Sequence, residues 1–489
     1  MNYKNHTTQK SIFFFAAITM AIILFVTAGC GNRGASITDE IAYDLGESFF
    51  DGTQDSVSKD VMKKAEADIE KYRKGDFTIR FVTENGKEIK RAKANIELFQ
   101  HQFIFGTNMR RLSDMPDDSK IKHEALQSII DIFNTIHVCN YWEEQDYGKP
   151  ADFSTAMMDY EWATRNNIRT RHHAILYNVP SWIPADKKLT EEDYWNMIEF
   201  RIKDVAENFG GKIFLYDVMN EMFHRKSFSD RIRDVNPNFP DFTDPQVAKR
   251  IYDLTRKYLP DAKLVVLEAL NSTVVNNPAI FRFVNYCKAL RDVGCDFDYV
   301  GHQAHFFTRH IPFQEGHLVH GEDCFTMVAI DKSFDLLASV GKPVVITEFN
   351  GPTRNRKQPR EEQEKLWTMT DHENSAWQIN FYRLAFSKPY ILELTRWVHV
   401  DDVTGNAMDG GILDRNGDKR QIYYDLKKLI KEEWHTKVDD KTNKKGEIAW
   451  RGFYGEYDIK IKGYHPIRMK LYDDNKEKIV KIVLKKSYQ

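Results

Sequence analysis

Eight short apolar segments, separated by longer amphipathic ones, follow one another from Gln102 onward, and this alternation limits the possible folds more than any other feature. The segments are FIFGTN, TIHVCN, RTRHHAIL, KIFLYDVMNE, KLVVLEAL, DYVGHQAHF, PVVITEFN and ELTRWVHV. Most are continuously apolar, which is typical of parallel strands covered on both faces. Eight strand-helix units in a row predict a closed (β/α)₈ barrel of the α/β class, a TIM barrel. A doubly wound open sheet is the alternative, but no strand is followed by a glycine-rich phosphate-binding turn.

The segments outside the barrel predict smaller additions. Two alternating apolar runs flank Asn85-Gly86, a dipeptide that favours a tight β-turn, and the last fifty residues also alternate. The predicted organisation has five parts: a lipoprotein-type signal peptide (1–30), a polar linker (31–60), a helix with a small β-hairpin (61–101), the barrel (102–436) and a small C-terminal β element (437–489).

The N-terminal segment predicts export. Lys4 and Lys10 precede an apolar run, Ile12 to Ala28, that ends in TAGC at Cys30. Small residues before a cysteine resemble the lipobox of bacterial lipoproteins, although Thr27 stands where that pattern usually has leucine. Cys30 is therefore the predicted lipidation site, and the protein is expected on the bacterial cell envelope, lipid-anchored, or secreted. An uncleaved membrane anchor is the alternative, because 17 apolar residues are borderline for a span.

Composition excludes some classes of partner. A net charge of −2 gives no global basicity to attract nucleic acid, while 13% aromatic residues suit a protein that stacks on flat rings such as sugars. The histidines of HQAH point to opposite faces of a strand, so they are not expected to share a metal. We expect no metal, no cofactor and a monomer. The remaining cysteines are predicted to be buried free thiols: Cys139, Cys287, Cys295 and Cys324.

Two glutamates mark the predicted site. Glu221 ends the fourth strand and Glu348 ends the seventh, and the carboxyl ends of barrel strands converge on one mouth. Two carboxylates across a cleft are what hydrolysis of a glycosidic bond needs, since one protonates the leaving oxygen while the other attacks or activates water. A separation of about 5 to 5.5 Å gives retention and about 6.5 to 9.5 Å gives inversion. Other polar or aromatic residues predicted at this mouth are His172, His173, Gln303, His305 and Trp397.

Three motifs extend this interpretation to a family. YDVMNE, VGHQAHF and VVITEFN resemble the signatures of strands four, six and seven in glycoside hydrolase family 10, the xylanase family. The resemblance covers roughly Phe103 to Trp434, and FIFGTN, NVPSW and GGILDRNGDKRQIYYDLKKLI support it.

The resemblance implies a retaining mechanism with Glu221 as acid/base and Glu348 as nucleophile. It further implies that Asn220 binds the 2-hydroxyl of the cleaved sugar and that His305 holds the nucleophile. Substrate-binding roles are implied as well for Asn140, His173, Asn178, Gln303 and Trp397. Four positions depart from the residues usual in the family's xylanases: Glu143 for lysine, Tyr177 for tryptophan, Asn178 for histidine and Tyr216 for tryptophan.

These observations predict a retaining glycoside hydrolase that acts on a polysaccharide or oligosaccharide, xylan or a related plant β-glycan. Because an acid at Glu143 reverses the charge offered to the sugar hydroxyls, a glycosidase for another sugar is an alternative. A glycan-binding lipoprotein without activity is a second alternative. The presence of both glutamates argues against this second alternative, because a binding protein needs neither a catalytic acid nor a nucleophile. A metal-dependent hydrolase is a more distant alternative.

Overall fold

The protein is described from a computed structural model. The chain divides into two units, Met1–Phe49 and Phe50–Gln489. The described residues, all in the second unit, are 51–53, 55–142, 149–177, 190–223, 237, 241–268, 278–307, 326–353, 370–404, 409–473 and 479–487. The predicted signal peptide and Cys30 lie outside them. Within these ranges no helix has both the length and the apolar character needed to span a bilayer.

The second unit begins with helix α1 (Ser56–Tyr72) and strands β1 (Lys74–Thr83) and β2 (Lys93–His101). The barrel strands follow: β3 (Ile104–Asn108), β4 (Thr135–Cys139), β5 (Arg169–His173), β6 (Leu215–Asn220), β7 (Lys263–Glu268), β8 (Tyr299–His302), β10 (Val344–Thr353) and β11 (Ile391–Arg396). A short strand, β9 (His305–Phe307), pairs with the far end of β10. The helices between or after these strands are α2 (Lys120–Ile132), α3 (Ser154–Arg165), α4 (Glu191–Phe209), α5 (Pro245–Tyr258), α6 (Pro278–Asp292), α7 (Met327–Ala338), α8 (Asp371–Ser387) and α9 (Gln421–Lys428), which continues as a π-helix, Leu429–Glu433.

The eight barrel strands pair in parallel in chain order, and β11 pairs with β3 to close the ring. The predicted (β/α)₈ barrel is therefore confirmed, and the doubly wound alternative is wrong. At the closure Gly106 of β3 lies opposite Thr395 of β11. A Cβ on Gly106 would lie 2.2 Å from Oγ1 of Thr395, so only glycine fits this contact.

Several barrel helices begin at a polar residue directly before an amphipathic run. Thr190 and Thr370 each start a helix with a capping box, in which the side chain of Asp193 or Glu373 returns to the backbone N–H of the threonine. Asp244 caps the helix that starts at Pro245. These local signals determine where the loops at the carboxyl end of the barrel stop.

The ends of the second unit form two shared sheets, built with strands β12 (Lys437–Lys441), β13 (Glu447–Phe453), β14 (Gly455–Ile461), β15 (Ile467–Leu471) and β16 (Val480–Leu484). The strand orders are β13-β1-β16 and β12-β2-β14-β15. The predicted hairpin at Asn85-Gly86 is short: Val82 and Glu88 form an antiparallel bridge, and the N–H of Gly86 donates to the carbonyl of Thr83 at 2.8 Å. Beyond it, β1 and β2 pair with other strands in separate sheets. Dipeptide chemistry specifies a turn, whereas the partner of a strand depends on distant segments.

The predicted linker also ends earlier than expected. Ser58 is fully buried, and its hydroxyl accepts a hydrogen bond from the N–H of Val328 at 3.1 Å. The amide of Asn380 donates to the carbonyl of Asp51 at 3.0 Å. The chain therefore packs on the barrel helices from about residue 51 onward.

Candidate active site

The two predicted catalytic glutamates lie at the carboxyl end of the barrel. Glu221 is the first residue after β6, and Glu348 lies in β10 just after its pairing with β8 ends. Glu348 is only 3% exposed, whereas Glu221 is partly exposed. The negative charge of Glu221 raises the pKa of Glu348, which requires the two side chains to be near each other. The structure thus brings both residues into one site.

An amide bridge holds the side chain of Glu221 beside Asn220. The Nε2 of Gln303 donates to Oδ1 of Asn220 and to Oε1 of Glu221, at 3.0 Å each. Gln303 is fully buried, and its Oε1 has no hydrogen-bond partner among the described residues. Both amide hydrogens are therefore committed to orienting Asn220 and Glu221.

The backbone around Glu221 is held by the neighbouring strand. Glu221 has a φ of 59°, a left-handed conformation that is uncommon for a residue with a side chain. Its N–H donates to the carbonyl of Leu267 at 3.4 Å, and the N–H of Phe223 donates to Oε2 of Glu268 at 2.8 Å. Glu268 was not predicted, although it shares a signal with Glu221 and Glu348, a glutamate at the end of an apolar run.

Two histidines contact the carboxylate of Glu348, one at each oxygen. The Nε2 of His305 lies 3.3 Å from Oε2, and the Nε2 of His173 lies 3.6 Å from Oε1. The other ring nitrogen of His173, Nδ1, lies 2.8 Å from Oδ2 of Asp217, and this contact orients the ring. Both rings are buried, so the carboxylate meets imidazole nitrogens in place of water.

A buried ion network supports His173 from inside the barrel. Arg171 bonds Asp217 and, at 2.6 Å, Glu393, and all three side chains are inaccessible to solvent. Since removal of one partner leaves an uncompensated buried charge, these groups hold one another firmly in place. Sequence reasoning missed this network, because its members lie inside strand segments at positions that carry no motif.

The surroundings of Glu348 act on its pKa in opposite directions. Burial is the main cause of a pKa that is raised to about 8, since a carboxylate is poorly solvated there, and the charges of Glu221 and Asp217 act in the same direction. His173 and Arg171 act in the opposite direction and limit the rise. A neighbouring histidine, His137, has its pKa well below the usual value because it is buried and faces Arg171. The ionised form of Glu348 therefore depends mainly on His173 and Arg171.

Aromatic rings surround the histidine side of the site. The indole of Trp397 packs edge-on against His173 and His137, with centroid distances of 5.2 and 5.8 Å. Tyr141 packs edge-on against His173 at 5.7 Å, and the guanidinium of Arg110 lies 4.6 Å above the Tyr141 ring. Ring faces of this kind suit the apolar face of a sugar.

Some predicted residues lie away from this cluster. His172 packs on Tyr216 at 5.5 Å, and the hydroxyl of Tyr216 donates to the carbonyl of Phe209 in α4. The prediction of His172 at the mouth is wrong, because neighbouring residues of a strand point to opposite faces. Asn140 is committed to the protein itself, since its Oδ1 accepts from Arg201 at 2.7 Å and its Nδ2 donates to the carbonyl of Asp152 at 3.0 Å.

The remaining predictions are only partly covered by the structure. Asn178 and Glu143 lie outside the described residues. Tyr177 is described, and its ring lies 5.4 Å from that of Tyr141. In the described ranges, Cys139, Cys287 and Cys295 are free thiols, and no group of three or more histidine, cysteine or acidic side chains is arranged to hold a metal ion.

Comparison with known proteins points to one family. The sequence model of glycosyl hydrolase family 10 matches residues 95–429. An anti-sigma-I factor, RsgI6, of Acetivibrio thermocellus is 25% identical over 80% of this chain and 45% of its own length. Endo-1,4-beta-xylanase 2 of Arabidopsis thaliana is 24% identical over 66% of this chain and 26% of its own length. The chain thus spans less than half the length of these two relatives.

A smaller relative and two solved structures match over most of their length. The beta-1,4-xylanase of Dictyoglomus thermophilum is 22% identical over 72% of this chain and 95% of its own length. Xylanase 10B of Thermotoga petrophila, solved with xylobiose, superposes with a TM-score of 0.50 at 18% identity, over 68% of this chain and 95% of its own. Xylanase 10B of Thermotoga maritima gives 0.51 at 17%, over 68% and 96%. At these identities the structural likeness establishes the barrel fold alone.

Proposed function

The chain belongs to glycosyl hydrolase family 10, and we propose that it hydrolyses β-1,4-linked xylan or a related plant β-glycan with retention of configuration. The observation that carries the proposal is the environment of the two glutamates. Glu221 is held by Gln303, while Glu348 is buried between His173 and His305. Retaining hydrolysis needs a proton donor and a nucleophilic carboxylate in one site. The relatives named as xylanases support xylan as the substrate class.

In the first step, the carboxylate of Glu348 attacks the anomeric carbon while Glu221 gives its proton to the departing glycosidic oxygen. The electron pair of the broken C–O bond stays with that oxygen. The shortened chain leaves as an alcohol, and the sugar is held as an ester on Glu348.

In the second step, Glu221 is ionised and removes a proton from a water molecule. The water oxygen attacks the anomeric carbon, and the electron pair of the ester bond returns to Glu348. Two inversions give net retention, and both glutamates recover their starting protonation states.

The neighbours of the glutamates suit these roles. A buried carboxylate without cations would hold its proton and could not attack, so His173 and Arg171 are needed to favour the ionised form of Glu348. Partial exposure of Glu221 fits a group that exchanges a proton with the leaving oxygen and with water. Asn220, aligned by Gln303, offers an amide group next to the reacting sugar.

The contacts of one residue favour a sugar other than xylose as a second candidate. Asn140 keeps the family's residue type, yet both ends of its amide already bond Arg201 and Asp152. Asn140 therefore already makes two hydrogen bonds within the protein, which reduces what its amide offers to sugar hydroxyls. These contacts of Asn140, together with the departures at Glu143 and Asn178, alter the polar groups that are available to select the sugar.

Location is a further part of the proposal. We place the activity outside the cytoplasm, with the chain held to the bacterial envelope by a lipid on Cys30 and acting as a monomer. The apolar segment before Cys30 supports this proposal. Metabolic labelling with a fatty-acid analogue would incorporate label into the native chain and fail with Cys30→Ser. Equal labelling of both would contradict the assignment of Cys30.

A product assay tests the activity itself. The protein without residues 1–30 is incubated with xylan, mixed-linkage glucan and other β-glycans, with Glu348→Gln as the inactive control. Release of xylo-oligosaccharides supports a xylanase, and activity on another glycan alone supports the second candidate. Proton NMR of the first product should show the β-anomer. An α-anomer would contradict retention, and binding without turnover on every glycan would favour the glycan-binding alternative.

A further inference from the structure

We infer that the opposite end of the barrel carries a second binding site, for a monosaccharide-sized organic acid such as a hexuronate. The site is a cavity of about 250 Å³. It is lined by residues at the starts of barrel strands, whereas Glu221 and Glu348 lie towards the ends of theirs. The inference does not depend on the proposed function, since none of these residues takes part in the mechanism above.

The floor of the cavity is apolar and its rim is aromatic. Ile104, Val345 and Leu392, at the starts of β3, β10 and β11, form the floor. Tyr454 and Tyr472, from the C-terminal strand region, stand at the rim. The shared sheets of the chain ends therefore build walls around a barrel end that would otherwise open to solvent.

Arg73 gives the cavity a positive charge that is fixed in position. Its Nε donates to the carbonyl of Phe386 and its Nη2 to the carbonyls of Lys388 and Ile391, at 2.5 to 2.7 Å. The group lies between two aromatic faces, 4.8 Å above Phe103 and 5.1 Å from the ring of Phe386. The remaining amino group, Nη1, has no protein acceptor in the described part of the chain and is not sealed from solvent. Two donor hydrogens are therefore left for a ligand.

A second guanidinium, Arg169, lines the same cavity. Its Nη1 donates to the carbonyl of Gln102 at 3.2 Å, and its Nη2 donates to the carbonyls of His101 and Phe103. Like Arg73, it has only carbonyl oxygens as acceptors within the described residues. One acidic group, Asp473, also lines the cavity; it is exposed, accepts from Nε2 of Gln102 at 2.7 Å, and its charge acts to raise the pKa of Arg73.

Two partly exposed guanidinium groups that form no salt bridge within the described residues favour an anionic ligand. Desolvation lowers the pKa of Arg73 to about 9 and lowers the pKa of Arg169, and the charge of Asp473 only partly offsets the effect on Arg73. An anion in the cavity would supply the missing counterion. Both groups are already fixed by their carbonyl contacts, so little side-chain entropy is lost on binding.

The size and lining of the cavity select the class of anion. Pockets for drug-sized ligands are roughly 300 to 1,000 Å³, so this cavity suits one ring rather than a chain. An apolar floor with aromatic walls fits the face of a sugar ring, and tyrosine hydroxyls can bond its hydroxyl groups. One free amino group of Arg73 matches a singly charged carboxylate better than a phosphate dianion, which needs more donors.

Calorimetric titration of the full chain tests the site. The probes are glucuronate, galacturonate, neutral glucose, glucose 6-phosphate and a xylo-oligosaccharide that carries a glucuronate side group. Arg73→Lys keeps the charge but loses the planar donor fork, and Leu392→Trp fills the cavity while leaving both arginines. The controls are Arg165→Lys, an exposed arginine on α3, and Trp397→Ala at the other end of the barrel. Thermal unfolding checks that each variant is folded.

We expect a uronate to bind at least about tenfold more tightly than glucose, and each cavity variant to weaken it by about tenfold or more, as the loss of charged hydrogen bonds predicts. The two controls should leave the affinity for the free uronate unchanged. Binding of the free uronate alone identifies a monosaccharide ligand, and binding of the substituted oligosaccharide as well identifies a polysaccharide side group.

Three results would overturn the inference. The first is no binding of any uronate probe. The second is binding that Trp397→Ala weakens and Leu392→Trp does not, since the ligand would then sit at the other end of the barrel. The third is tighter binding of glucose 6-phosphate than of either uronate, which would assign the cavity to phosphate esters.

Discussion

The two ends of the barrel use opposite charges in opposite ways. At the carboxyl end, Glu221 and Glu348 are brought together, and His173 and Arg171 lower the pKa of Glu348 against the effect of burial. At the amino end, Arg73 and Arg169 are brought together and bond only carbonyl oxygens among the described residues. The first arrangement can pass protons near neutral pH, whereas the second stays charged and can only bind.

This difference follows from what the backbone offers at each end. The segments before β3 and β11 present carbonyl oxygens, which fixed guanidinium donors satisfy. At the other end, the residues that end the strands carry side chains with titratable groups, and those side chains contact one another. A parallel barrel thus separates a chemical end from an end suited to packing and binding, which matches the usual position of barrel active sites. The predictions below test this separation.

The largest expected effect is the loss of the nucleophile. Glu348→Gln should lower kcat by at least about 10⁴-fold, because an amide cannot attack the anomeric carbon. Substrate affinity should change little, since the side chains that surround the sugar remain. Steady-state kinetics and binding by calorimetry measure the two effects. Glu207→Gln, an exposed glutamate on α4, is the matched control and should keep full activity. Activity of Glu348→Gln near that of the control would remove Glu348 from the mechanism.

Replacement of the acid/base Glu221 should lower turnover more for natural glycans than for substrates with good leaving groups. Glu221→Ala should lower turnover of a natural glycan by about 10² to 10⁴-fold, the usual contribution of a general acid. Aryl glycosides with good leaving groups need little protonation, so their first step should be much less affected. The ratio of the two rates measures the role of Glu221. An equal loss on both substrates would show that Glu221 does not protonate the leaving oxygen.

The contact between β3 and β11, where the barrel closes, should be sensitive to the addition of one methyl group. Gly106→Ala should destabilise the fold by about 1 to 3 kcal/mol, because the new Cβ overlaps Oγ1 of Thr395. Denaturant unfolding measures this change. Adding Thr395→Ala should recover much of the loss by removing the clashing oxygen. No recovery in the double variant would mean that the contact with Thr395 is not the cause.

The acid limb of the pH profile of kcat/KM should show the effect of His173 on the pKa of Glu348. Because its positive charge lowers the pKa of Glu348, His173→Asn should move the acid limb of kcat/KM up by roughly one pH unit. The pH profile on an aryl glycoside measures this shift. Arg165→Lys, remote from the site, is the control. A limb that stays in place or moves down would mean that His173 does not favour the ionised nucleophile.

The smallest expected effect is on the pH dependence of thermal stability. Burial raises the pKa of Glu348 to about 8 from a usual 4.5, so the folded state binds more protons than the unfolded state between these values. Stability from this group is therefore present below pH 4.5 and is lost as the pH rises to 8. In scanning calorimetry, the Tm of Glu348→Gln should fall between pH 5 and pH 8 by a few degrees less than the Tm of the native protein. A larger loss in the variant would reverse the sign.

Most of the fold was predictable because barrel strands carry a local signal. Continuous apolar runs indicated all eight strands, and the glutamates that end two of them indicated the catalytic pair. Asp217 and Arg171 were not predictable, since an ion pair inside a barrel needs two strands to be aligned side by side. The contact of Asn140 with Arg201 was not predictable for a similar reason, because the two residues lie 61 positions apart. The cavity at the amino end needs the end of α1, the start of β11 and the C-terminal strand region together, so no single segment carries a signal for it.

The shared sheets of the chain ends also constrain how the protein is made. β1 pairs with β13, and Arg80 and Glu447, which bond across this pair, are 367 residues apart. During synthesis the strand edges of β1 and β2 stay uncovered until β12 to β16 have been made, and exposed edges invite aggregation. A chain that stops before β12 cannot cover them, and its open edges would be accessible to proteases.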